Sequence, residues 1–93
     1  MTQKEKEKLT GLLSQAKSQR MSDYDIIISG FRFMIHWDGR GFIGTMFFSP
    51  GWAHSHGFGA YNEKEVFQNI ERLINDTCFV DGGRYPSDYR TNF

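Results

Sequence analysis

Ninety-three residues make one small domain, and eleven basic against eleven acidic residues leave it without net charge. That balance argues against a general binder of nucleic-acid phosphates, which carries a basic excess, and against an acidic nucleic-acid mimic. It also lowers the barrier to self-association, so a homodimer is among the expectations.

The amino terminus alternates lysine and glutamate from Lys4 to Lys8 and has no apolar stretch, so no signal peptide is expected. Residues 2–20 predict a first helix. Thr2 and Glu5 stand three apart, as in a capping box. Leu9, Leu12, Leu13 and Ala16 recur at helical spacing and form one narrow apolar stripe. Gly11 weakens this helix by about 1 kcal/mol relative to alanine. The turns up to Lys8 lack an apolar anchor and are expected to fray. A polar joint follows near Ser22 and Asp23.

The middle of the chain reads as β-structure. Asp25 to Ser29 is β-branched and starts the sheet, with Gly30 allowing a bend or bulge. Phe31 to Trp37 then alternates: Phe31, Phe33, Ile35 and Trp37 share one face, while Arg32, Met34 and His36 share the other. Asp38-Gly39-Arg40-Gly41 supplies a hairpin turn, and Phe42 to Phe48 returns. Ser49-Pro50-Gly51 ends that strand, residues 52–55 form a loop, and His56 to Tyr61 is a short third strand. Asn62 caps a second helix over residues 62–75, with Glu65 completing a capping box and Tyr61 set against Val66 as a hydrophobic staple. Val66, Phe67, Ile70, Leu73 and Ile74 make its apolar stripe, and Lys64, Gln68, Glu71 and Arg72 face water. Cys78-Phe79-Val80 is a brief edge strand, followed by an aromatic tail. No apolar run reaches the roughly 18–20 residues that span a bilayer.

Together these elements predict a single α+β domain. A three-stranded antiparallel meander over residues 25–61 packs against the amphipathic helix at 62–75, with an additional amino-terminal helix and a short fourth edge strand. Nine Phe, four Tyr and two Trp supply the core, and they exceed what so thin a core can hide.

Phe33 to Trp37, Asp38-Gly39-Arg40-Gly41-Phe42, Pro50-Gly51, and Gly57-Phe58-Gly59-Ala60-Tyr61-Asn62 leading into Glu65-Val66-Phe67-Gln68-Asn69-Ile70 follow one another in a familiar order. This half of the chain resembles the small domain of HicB-type antitoxins in spacing and turn chemistry. The resemblance implies a β-β-β-α-β fold and a domain that binds and occludes a small toxin RNase. The sequence departs from that family in its added amino-terminal helix, in aromatics that replace aliphatics, and in showing no helix-turn-helix or ribbon segment for DNA binding.

Several residues invite a chemical reading. His54 and His56 lie two apart, which on a strand puts both rings on one face. Zinc would need a third ligand such as His36, Asp38 or Cys78, and the ligand set is incomplete, so a metal-dependent hydrolase is the third-ranked reading and no metal or cofactor is expected. Cys78, the only cysteine, cannot form an internal disulfide, which fits a cytoplasmic setting. As a nucleophile it would need a histidine partner; it reads better as a small buried residue. Asp25 and Asp38 suggest a carboxylate pair, but aspartate in a turn ordinarily binds nearby amides. The glycine pairs at 39 and 41 and at 57 and 59 do not match a phosphate loop.

Aromatic and arginine residues at one end of the hairpin carry more weight. Trp37, Arg40, Trp52, His54 and Tyr61 are the candidate partner-binding residues, since Trp, Tyr and Arg dominate protein-interface hot spots. Phe42 and Phe58 are assigned to the core. A second set, Arg84, Tyr85, Tyr89 and Arg90, is suited to clamp an anion or a base. The leading expectation is a non-enzymatic protein that binds and regulates or inhibits a larger protein, of antitoxin-like or phage-inhibitor type. The alternative is a binder of a nucleotide or single-stranded nucleic acid. No membrane partner is expected.

Overall fold

The computed structural model describes residues 1–48, 54–75, 77–80 and 83–86. Its elements in chain order are α1 (Gln3–Ser18), β1 (Tyr24–Ile28), β2 (Phe31–Trp37), β3 (Phe42–Phe48), β4 (His54–Ala60), α2 (Glu63–Asn75), β5 (Thr77–Val80) and β6 (Gly83–Pro86). Strands β1 to β4 form one antiparallel sheet in sequence order, and β5 pairs with β6 in a separate two-stranded sheet. The class is α+β, as the sequence predicts.

The main sheet has a fourth strand that the sequence reading merged with its neighbour. Ile28 lies opposite Phe31, so only Ser29 and Gly30 separate β1 from β2. Both have positive φ, 52° and 83°, as a two-residue type I′ hairpin requires. Gly30 is therefore a turn residue and not a bend within one strand. The expected brief strand at 78–80 is present as β5, and it pairs with β6 and not with the meander. β6 passes close to β3, whose two edges are already occupied by β2 and β4.

The predicted hairpin between residues 31 and 48 is present with its full register, from Trp37 opposite Phe42 to Arg32 opposite Phe47. Its turn is held by Asp38. The carboxylate accepts hydrogen bonds from the backbone amides of Arg40 (2.8 Å) and Gly41 (2.9 Å), and Asp38 N–H donates to the Gly41 carbonyl at 3.0 Å. Gly39 takes a φ of 98°. β4 begins two residues before the expected third strand, so His54 and Ser55 belong to the strand and not to a loop.

Strand periodicity sends every second side chain to the same face. Ile26 and Ile28, Phe31, Phe33 and Ile35, Phe42, Met46 and Phe48, and Ala60 meet in one buried core. Leu9, Leu13 and Ala16 of α1 and Val66, Ile70, Leu73 and Ile74 of α2 close it from above. α1 lies over β1 and β2, and α2 lies over β4. Two helices share the face, and β2 lies under the first.

The first turn of α1 is not frayed. Thr2 Oγ1 accepts from Glu5 N–H at 3.1 Å, and Glu5 Oε1 accepts from Thr2 N–H at 2.9 Å. Glu5 Oε2 then takes the N–H of Ser29 at 3.0 Å, which ties the helix start to the β1–β2 turn. Asn62 caps α2 by accepting from Glu65 N–H at 2.9 Å. The staple is absent, because Tyr61 is 80% exposed while Val66 is fully buried.

Candidate functional site

The β2–β3 turn and the joint between β4 and α2 stand side by side, since Phe42 pairs with Trp37 on one side and with Ala60 on the other. Between them is a recess of about 370 Å³ lined by Arg40, Gly41, Phe42, Ile43, Ala60 and Tyr61 among others. Phe42, which borders it, is fully buried. Arg40 and Tyr61 are exposed on its rim, and Ile43 is 40% exposed beside them. The recess therefore offers the apolar side chain of Ile43, a guanidinium and a phenol.

Two features make this end of the sheet stiff. Arg20 Nε donates to the Asp38 carbonyl at 3.0 Å, so the segment after α1 braces the turn. Gly41 lies so close to β4 that a Cβ added there would stand 2.6 Å from the Ala60 carbonyl oxygen. The amides of Arg40 and Gly41 hold the Asp38 carboxyl below its ordinary pKa, because hydrogen bonds to the charged form favour it.

Of the candidate contact residues, Arg40 and Tyr61 converge on the recess. Trp37 does not project freely. Its ring packs edge-on against Phe42, with centroids 4.8 Å apart and planes at 62°, and Lys17 Nζ sits 5.3 Å from its centroid. Phe42 is core, as the sequence suggests, and Phe58 is half-buried against it. His54 lies on β4 opposite Phe48. Arg84 and Tyr85 lie on β6. Trp52, Tyr89 and Arg90 fall outside the described residues.

Ile43 is the residue that sequence reasoning missed. It occupies an outward position of β3, between His36 of β2 and Gly59 of β4. The only available signal was its place between the inward-facing Phe42 and Gly44.

The described histidines and aspartates do not gather into one site. His56 pairs with Met46 on the helix-covered face, whereas His36 alternates to the opposite face and contacts Asp23 Oδ1 through Nδ1 at 3.1 Å. His36 is thus not available as the third ligand beside His54 and His56. Among the described residues, no three His, Cys, Asp or Glu side chains gather closely enough for a metal ion. Asp25 is paired with Arg32 at 3.0 Å and Asp38 with its own turn, so the two do not form a carboxylate pair. No helix among the described residues is long and apolar enough to cross a membrane.

No family model matches the chain, and no curated protein and no solved structure matches it.

Proposed function

We propose that the chain is a protein-binding module whose contact surface is the end of the sheet around Arg40, Ile43 and Tyr61. The observation that carries this reading is Tyr61, a large ring left 80% exposed beside an arginine and over an apolar recess. Tyrosine and arginine around a pocket are the residue types that anchor protein interfaces. The partner supplies a carboxylate or carbonyl to Arg40 and an apolar side chain against Ile43. A small module of this kind acts on a larger protein by occupying it, and inhibition is the regulatory outcome we favour. The resemblance to HicB-type antitoxins supports the same reading as a fold-level analogy.

The test is site-directed photo-crosslinking in a native lysate, with a benzophenone amino acid at position 61 or, as control, at the exposed position 64 on α2. An adduct of one defined mass is expected from position 61 and lost when Arg40→Glu is added. Equal adduct patterns from both positions, or none from either, would overturn the reading.

A further inference from the structure

The two outer strands of the meander differ in how their edges are finished. At β4, Asn69 of α2 reaches the Gly59 carbonyl at 3.5 Å, so the helix partly covers that edge. Among the described residues, β1 has no strand on its far side. In a two-residue hairpin the residues flanking the turn form a hydrogen-bonded pair, and the bonding alternates from there. Ile28, Ile26 and Tyr24 therefore bond to β2, while Asp25 and Ile27 aim their N–H and C=O groups outward. The usual protections of an open edge are lysine, proline or a bulge, and Tyr24-Asp25-Ile26-Ile27-Ile28 contains no lysine or proline and pairs without a bulge. Its one charge, Asp25, is drawn onto the sheet by Arg32 at 3.0 Å. Ile27 is 56% exposed. Beside this edge runs a groove of about 700 Å³ between β1 and α1, lined by Lys8, Gly11, Leu12 and Gln15 on the helix side.

We propose that this edge joins two copies of the chain, β1 against β1 in antiparallel fashion about a twofold axis at Ile26. The occupant is a second copy because the edge is self-complementary in that register. Asp25 meets Ile27 of the partner copy and Ile27 meets its Asp25, giving two hydrogen-bonded pairs and four backbone bonds. Ile26 meets Ile26 between them, on the core side. Shifting the axis to Asp25 would set two like charges directly opposite, which is destabilising. The chosen register keeps the helix-covered faces on the same side, so the two α1 helices run antiparallel beside the axis. Gly11 has nothing within 4 Å of where a Cβ would be, which lets the helices approach there. About that point Glu7 and Lys8 come near Gln15 and Ser14 of the partner copy, so no like charges confront each other. Zero net charge removes long-range repulsion between copies. The product is a continuous eight-stranded sheet, and the recess on β3 and β4 stays open in each half.

The test exploits opposite effects of charge at position 27. Within one chain residue 27 faces Arg32; across the axis it faces Asp25 of the other copy. Ile27→Asp suits the chain and opposes the dimer, and Ile27→Lys does the reverse. Sedimentation equilibrium of the full chain is expected to show a mass approaching twice 10.8 kDa. Ile27→Asp should raise the dimer Kd at least about tenfold without lowering the melting temperature of the dissociated chain, and Ile27→Lys should leave the dimer intact. Equal dissociation of both variants would overturn the register. A monomeric mass at every concentration would overturn the proposal and leave the edge to a strand of another protein.

Discussion

Gly44 and Phe58 face each other across β3 and β4 on the core side, and a Cβ at position 44 would overlap the Phe58 ring. The ring fills the space that a larger residue at 44 would have supplied. Gly44→Ala is expected to cost about 1–3 kcal/mol through overpacking, measured as a shift in the urea midpoint. Adding Phe58→Leu should recover part of the loss, and a double-mutant cycle would register the coupling. Gly41→Ala should find no such rescue, because the obstacle is the Ala60 carbonyl. Charge acts at the same scale. Glu5 has its pKa lowered chiefly by the Ser29 amide and next by that of Thr2, as Asp38 has by the amides of Arg40 and Gly41. Each carboxylate binds its proton less readily folded than unfolded. Their stabilisation is therefore fully present above the unfolded values near 4 and is lost as the pH falls through the lower folded values. Glu5→Gln with Asp38→Asn should flatten the acid limb of a stability–pH curve, and NMR titration should place both wild-type carboxyls below their peptide values.

At the scale of elements, the β1–β2 turn and the caps set the boundaries. Gly30 sits at a φ of 83°, where alanine is expected to cost about 1–2 kcal/mol. Ser29→Asn should raise the urea midpoint, since asparagine adopts positive φ more readily in a type I′ turn. Asn62→Ala removes the acceptor for Glu65 N–H and should cost about 1 kcal/mol. β2 and β3 were legible in the sequence because alternation and the Asp38-Gly39-Arg40-Gly41 turn agree. β1 was legible as β-structure but not as a strand of its own, because Gly30 reads equally as a bend, and Ile27, apolar yet facing outward, hides the period of two in Ile26-Ile27-Ile28. The first turn of α1 was misjudged for a different reason. Its anchor is a hydrogen bond from Ser29, 24 residues away, and helical periodicity carries no trace of a contact that distant. Tyr61 was misplaced by a local rule. The staple spacing is correct, but the chain leaves β4 in a direction that turns the ring to solvent.

For the whole molecule, one core is shared by two helices that touch different strands. Leu13 is fully buried, and Leu13→Ala should cost about 2–5 kcal/mol, a large part of the roughly 5–15 kcal/mol available to a domain. Hydrogen exchange is expected to show the loss first at β1 and β2, beneath α1, and later at β4. The candidate site was legible as residue types, an arginine in a turn and a tyrosine before a helix cap. Its shape was not, because the recess arises only when the register brings Phe42 beside Ala60. That same register has a kinetic consequence. Each strand of the meander pairs with the one made just before it, so no long loop must close before a pairing is rewarded, a feature that favours fast folding. Tied by Glu5 to the turn at Ser29, the amino-terminal helix and first hairpin can assemble while the ribosome is still delivering the strands that complete the sheet.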